Sequence, residues 1–127
     1  MEYTIEYYSD QVEAEILALP PTLAARYLHL TERMHTAGPN LGEPHTKAMK
    51  DGLFEMRLKG QEGIGRVFYC VIVGRKIIVL HSFIKKSQKT PAKELTLARK
   101  RLEEVKHHEP RGTAQKNAGE SGGTSRI

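Results

Sequence analysis

The side chains best suited to acid–base work or anion binding, Glu55, Arg57, Lys59, Arg66, His81 and Lys85, fall on three consecutive apolar-rich runs in the middle of the chain. Their types match what cleavage of an RNA phosphodiester requires without a metal. A base must take the proton of a ribose 2′-OH, cations must hold the pentacoordinate phosphate, and an acid must protonate the departing 5′-oxygen. Glu55 or His81 can be the base, His81 or a lysine the acid, and Arg57, Arg66 and Lys85 the phosphate holders. The stretch HSFIKKSQKTPAKE, His81 to Glu94, adds Lys86 and Lys89 at a strand end. Each group also has a plainer reading. Glu55 can be a cross-strand ion pair, His81 a packed histidine beside Phe68 and Phe83, and the lysines a solvated strand end.

The elements that must position these groups follow from periodicity. Tyr3, Ile5 and Tyr7 alternate with polar neighbours as a short strand. Ser9 or Asp10 can cap a helix to about Leu19, and Pro20-Pro21 opens a second helix whose Leu23, Tyr27, Leu30 and Met34 make one apolar face until Gly38-Pro39. Residues 39–52 read as loop. Strands are expected over Leu53–Lys59, Ile64–Val73 and Lys76–Lys85, and a last helix is expected with Thr90 as N-cap, Pro91 at its first position and Leu95, Ala98, Leu102 and Val105 as its stripe. The order β-α-α-β-β-β-α is an α+β domain over residues 1–107. Residues 108–127, rich in Gly, Ser and Thr without apolar periodicity, are expected to be a disordered tail.

Turn lengths then fix which residues meet. GQEG between Lys59 and Ile64 is a four-residue loop joining two strands, with no helix behind it to cradle a nucleotide, and Gly74-Arg75 fits a two-residue turn. On that register Glu55 faces Phe68 and Phe68 faces His81; Arg57 faces Arg66 and Arg66 faces Phe83; Lys59 faces Ile64 and Ile64 faces Lys85. All nine share one face, a basic and partly aromatic surface. The other face, with Phe54, Met56, Leu58, Val67, Tyr69, Val71, Ile78, Leu80 and Ile84, is expected to be the core under the helices. Arg57 opposite Arg66 is unfavourable by roughly 0.2–1 kcal/mol unless Glu55 or an external anion offsets it. Phosphate is the natural anion, and exposed Phe68 and Phe83 can stack splayed bases.

Composition narrows the partners. The 127 residues carry a formal net charge of +5, with fifteen basic against seven acidic residues between positions 41 and 107 and an acidic excess before them. That suits an anionic partner. Cys70 is the single cysteine and lies in the apolar run VFYCVIV, which makes it a buried hydrophobe and excludes an intrachain disulfide. The six histidines show no metal-ligand spacing, so neither metal nor other cofactor is expected. Arg99-Lys100-Arg101 reads as a solvated helix face. No apolar stretch approaches the ~20 residues of a membrane span, and MEYTIEYYSD is no signal peptide, so a cytosolic soluble protein without a membrane partner is expected.

Three segments, Leu53-Phe54-Glu55-Met56-Arg57, Arg66-Val67-Phe68-Tyr69 and His81-Ser82-Phe83-Ile84-Lys85-Lys86-Ser87-Gln88-Lys89-Thr90-Pro91, followed by a helix with Glu94 and Ala98, resemble the phage-derived branch of the RelE/HigB-like toxins of type II toxin–antitoxin systems. The resemblance spans about residues 3–105. It implies a RelE-like sheet with two N-terminal helices on one face and a C-terminal helix. It implies, too, cleavage of mRNA in the ribosomal A site and neutralisation by an antitoxin, typically a helix-turn-helix protein. The family's Glu-x-Arg strand falls on Glu55 and Arg57, its next-strand arginine on Arg66, and its Phe-x-Lys-Lys end on Phe83, Lys85 and Lys86. Lys47 resembles a further basic position. A related toxin directed at gyrase and a non-catalytic RNA-binding module are the alternatives.

Overall fold

The computed structural model describes residues 2–85 and 90–108. The first strand, β1 (Thr4–Tyr7), leads to Ser9, whose hydroxyl accepts from the Val12 amide and so caps α1 (Asp10–Leu17). A proline at its first position starts α2 (Pro21–Ala37), and Gly38, at φ 95°, ends it in a conformation open to glycine. Four further strands follow, β2 (Thr46–Ala48), β3 (Phe54–Gly60), β4 (Gly63–Ile72) and β5 (Lys76–Lys85), and then α3 (Ala92–His108). The expected tail lies outside the described residues from position 109 on. No helix among the described residues is long and apolar enough to cross a membrane.

The five strands form one sheet in the order β1-β5-β4-β3-β2. Only the β1–β5 pair is parallel. The expected element order therefore gains one short strand: β2, inside the stretch read as loop, pairs along the outer edge of β3 with Lys47 opposite Glu55. Three residues with no apolar alternation carry too little pattern to signal a strand.

The β3–β4 register is the expected one, from Phe54 opposite Tyr69 to Gly60 opposite Gly63. The β4–β5 register holds only at one end. Ile64 meets Lys85, Arg66 meets Phe83 and Phe68 meets His81, but beyond a bulge Tyr69 meets Val79 and Ile72 meets Lys76. The connection is thus Val73-Gly74-Arg75, three residues instead of two, with Gly74 at φ 88° and Arg75 at φ 58°. Leu80, the extra residue on β5, absorbs the difference.

That single residue changes which side chains form the core. Ile77 and Val79 join Met56, Leu58, Val67 and Tyr69 beneath α1 and α2, packing with Val12, Ile16, Leu23, Tyr27, Leu30 and Met34. Ile78 and Leu80, expected on that side, turn to the opposite face. There they join Leu53, Phe68 and Cys70 under Ala98, Leu102 and Val105 of α3. Ile84, also expected in the core, is 42% exposed at the strand end. The sheet thus has two cores, and α3 covers the part of the charged face around Phe68. Arg99 and Arg101, read as solvated, instead anchor this helix. Arg99 donates to the Lys50 carbonyl at 3.0 Å, while Arg101 donates to the carbonyl of the bulged Leu80 at 2.7 Å and stacks over Tyr8. Tyr8 in turn donates to Glu104 of α3. On the other face α2 approaches the sheet so closely that a Cβ on Gly60 would lie 2.8 Å from Leu23 Cδ2.

Candidate functional site

The part of the charged face that α3 leaves open lies where β3, β4 and the end of β5 come together. Alternation along β3 puts Glu55 and Arg57 on it, and the pairing adds Arg66 from β4 and His81, Phe83 and Lys85 from β5. Glu55 sits between the two opposed arginines. Its Oε2 accepts from Arg66 Nη1 at 2.8 Å and its Oε1 from Arg57 Nε at 3.3 Å, which offsets the like-charge pair from within. Glu55 and Arg66 are buried, whereas the Arg57 side chain is 28% exposed and reaches within 4.0 Å of Glu43.

Lys85 is buried beside them. Burial holds its ammonium below the ordinary lysine range, and the nearby Arg66 charge lowers it further, against the opposite pull of Glu55. Three cations share this corner with one buried carboxylate, so positive charge is in excess where solvent is partly excluded. Thr90 closes the corner from the α3 side. Expected as the helix N-cap, it precedes a helix that starts at Ala92, and its hydroxyl donates to Glu55 Oε2 at 3.2 Å while accepting from Arg66 at 3.4 Å.

His81 lies one strand beyond Phe68 and makes a different contact. Its Nε2 is 2.5 Å from Glu94 Oε1 in the first turn of α3, and its ring stacks on Phe83 with centroids 5.8 Å apart. His81 Nδ1 and Arg66 Nε are buried with no hydrogen-bond partner among the described residues.

The structure therefore brings Glu55, Arg57, Arg66 and Lys85 together and sets His81 and Phe83 next to them. Lys47 and Lys59 are exposed on the β2 and β3 edge of the same face. Phe68 does not fit its expected role: it is fully buried in the α3 core and offers no ring to a base, whereas Phe83 is partly exposed. Lys86 and Lys89 lie outside the described residues. Thr90 and Glu94 were not among the expected site residues. Their signal was present in the sequence, since a helix start directly after β5 must return its first turn to that strand. Cys70 and Tyr69 belong to the cores. Burial pushes the Cys70 thiol up to about 12 and raises the Tyr69 phenol, which donates to the Pro39 carbonyl.

Residues 14–103 match the model of the phage-derived Gp49-like protein family. The chain belongs to that family. Among solved structures it is similar to an archaeal RelE–RelB complex from Pyrococcus horikoshii, with 20% identity and a TM-score of 0.50 over 70% of this chain and 100% of that one. At that identity the likeness speaks for the fold: the Gp49-like protein has the RelE arrangement of helices and mostly antiparallel sheet. No curated protein matches it.

Proposed function

We propose that this Gp49-like protein is the toxin of a type II toxin–antitoxin pair and acts as a ribosome-dependent, metal-independent mRNA endonuclease in the cytoplasm. The observation that carries the reading is the corner in which Arg57, Arg66 and Lys85 surround Glu55. Two guanidinium groups and an ammonium in a partly dry site stabilise a pentacoordinate phosphate more than a ground-state diester, because the transition state holds more negative charge. Glu55 keeps the arginines in place before substrate arrives. Lys85, with its depressed pKa, is the donor suited to protonate the 5′-oxygen. Lys47, Lys59, Lys86 and Lys89 guide the RNA backbone, and Phe83 offers a stacking ring. The antitoxin, by analogy with the RelB bound to the archaeal RelE, neutralises the toxin, and the family resemblance makes it a helix-turn-helix protein.

The test is to induce the wild type and Arg57→Ala in a bacterial host and map mRNA 5′ ends within minutes. Arg57 is the cation whose loss least disturbs the fold, because it is the most exposed of the three. New in-frame ends in translated messages, much reduced for Arg57→Ala, are the expected outcome. Growth arrest with intact mRNA and altered DNA supercoiling would favour a gyrase-directed toxin. RNA binding without cuts would favour a non-catalytic module.

Lys85 gives the binding a pH signature. A phosphate beside it raises its pKa from the depressed value of the free protein, so binding takes up protons and affinity falls as pH rises through that value. Calorimetric titration with a non-cleavable 2′-deoxy oligonucleotide at alkaline pH, in buffers of different ionisation enthalpy, should show this uptake. Lys85→Met should abolish it.

A further inference from the structure

Two carboxylates stand on this face, and they differ in what each has to spare. Glu55 is 3% exposed, and its oxygens are held by Arg57, Arg66 and Thr90. Glu94 has a side chain 20% exposed; His81 holds its Oε1, and its Oε2 has no hydrogen-bond partner among the described residues. The imidazole is the worse placed of the remaining candidates, because Nε2 is engaged by Glu94 and Nδ1 is buried. Of Glu55, His81 and Glu94, only Glu94 combines access to solvent with a side-chain oxygen left unengaged by the described residues.

We infer that Glu94 is the general base of the proposed ribonuclease and that His81 is its positioning residue. The inference rests on the endonuclease reading above and names the group that reading left open. A carboxylate at the start of a helix swings through several rotamers unless something fixes it. His81, itself packed against Phe83 and held by the β5 bulge next to it, fixes Oε1 and leaves Oε2 directed by that bond. Thr90, four residues before Glu94 in the segment that leads into α3, touches Arg66. One short segment, Thr90 to Glu94, thus carries both a contact to the phosphate-holding arginine and the proposed base.

The step balances without a further reactant. Glu94 takes the 2′-OH proton, the 2′-oxygen bonds to the adjacent phosphorus, and the bond from phosphorus to the 5′-oxygen breaks. The 5′-oxygen leaves with a proton from the Lys85 ammonium. The products are a 2′,3′-cyclic phosphate and a 5′-hydroxyl, and solvent exchange returns both side chains to their starting states.

The experiment uses the full chain with translating ribosomes and a reporter mRNA, reading cleavage rate, ribosome co-sedimentation and thermal melting. Glu94→Gln keeps the size and an acceptor for His81 but cannot take a proton, and it should lower the rate by about a hundred-fold or more with ribosome binding unchanged. Glu94→Ala should be equally slow and should regain activity on adding formate, while chloride at equal ionic strength has no effect. A purely structural Glu94 would not respond to formate. If the Gln and Ala variants melt below the assay temperature, Glu94→Asp decides: slowed cleavage upholds the assignment, and full-rate cleavage overturns it. Wild-type cleavage with an undiminished Glu94→Gln overturns the assignment of Glu94 alone. A wild type that cuts nothing overturns the endonuclease reading, and this inference with it.

Discussion

Glu55→Ala is expected to lower the free energy of unfolding by about 3–5 kcal/mol, the cost of breaking a buried ion pair by removing one partner. The magnitude follows from what remains. Arg66 is buried and has its Nε without a partner among the described residues, so Glu55 is its principal counter-charge. Arg57 and Lys85 would add repulsion that the carboxylate now offsets. Glu55→Gln should lose less, because the amide oxygen still accepts from Arg66 or Thr90. Urea unfolding of the three proteins measures the difference. A loss below about 1 kcal/mol for the alanine variant would place the pair with solvent-screened surface bridges. The same variants carry a functional corollary: a residue that anchors the arginines should affect activity through their placement, and Glu55→Gln should retain more cleavage than Glu55→Ala.

Arg66→Ala is expected to reduce mRNA cleavage by roughly 10²–10³-fold, the usual effect of deleting one preorganised donor to a transition-state anion. Arg66 is held by Glu55 at 2.8 Å and Thr90 at 3.4 Å, so its geometry is set before substrate binds. Arg66→Lys keeps the charge but not the planar fork, and it should recover only part of the rate. Single-turnover cleavage on translating ribosomes checks both, alongside melting curves that separate loss of chemistry from loss of fold. Near-wild-type rates for Arg66→Ala would move the phosphate away from this corner.

Much of this arrangement can be read from residue order because strands alternate and hairpin turns fix pairings. Glu55, Arg57 and Arg66 could be set together before any coordinates, and so could the apolar stripes of α1, α2 and α3. What could not be read has specific causes. The bulge at Leu80 follows from a turn one residue longer than the Gly-Arg dipeptide suggests, and it exchanged Ile78 and Leu80 for Ile77 and Val79. Phe68 looked like a stacking surface because the docking of α3 is a tertiary contact that strand periodicity does not encode. Glu94 and Thr90 were read as members of a helix start, where Ser, Thr and acidic residues are common for local reasons that mask a role across the fold.

The bulge also divides the β4–β5 hairpin into two halves that need not agree. Between the tip at Val73-Gly74-Arg75 and the bulge, the strands are paired one residue out of step with the half that carries Arg66, Phe83 and Lys85. Length changes at the tip can therefore be taken up at Leu80, where Arg101 already grips the displaced carbonyl, before they reach the charged corner. The hairpin works like an expansion joint: its outer end can change length while its inner end stays in step with β3.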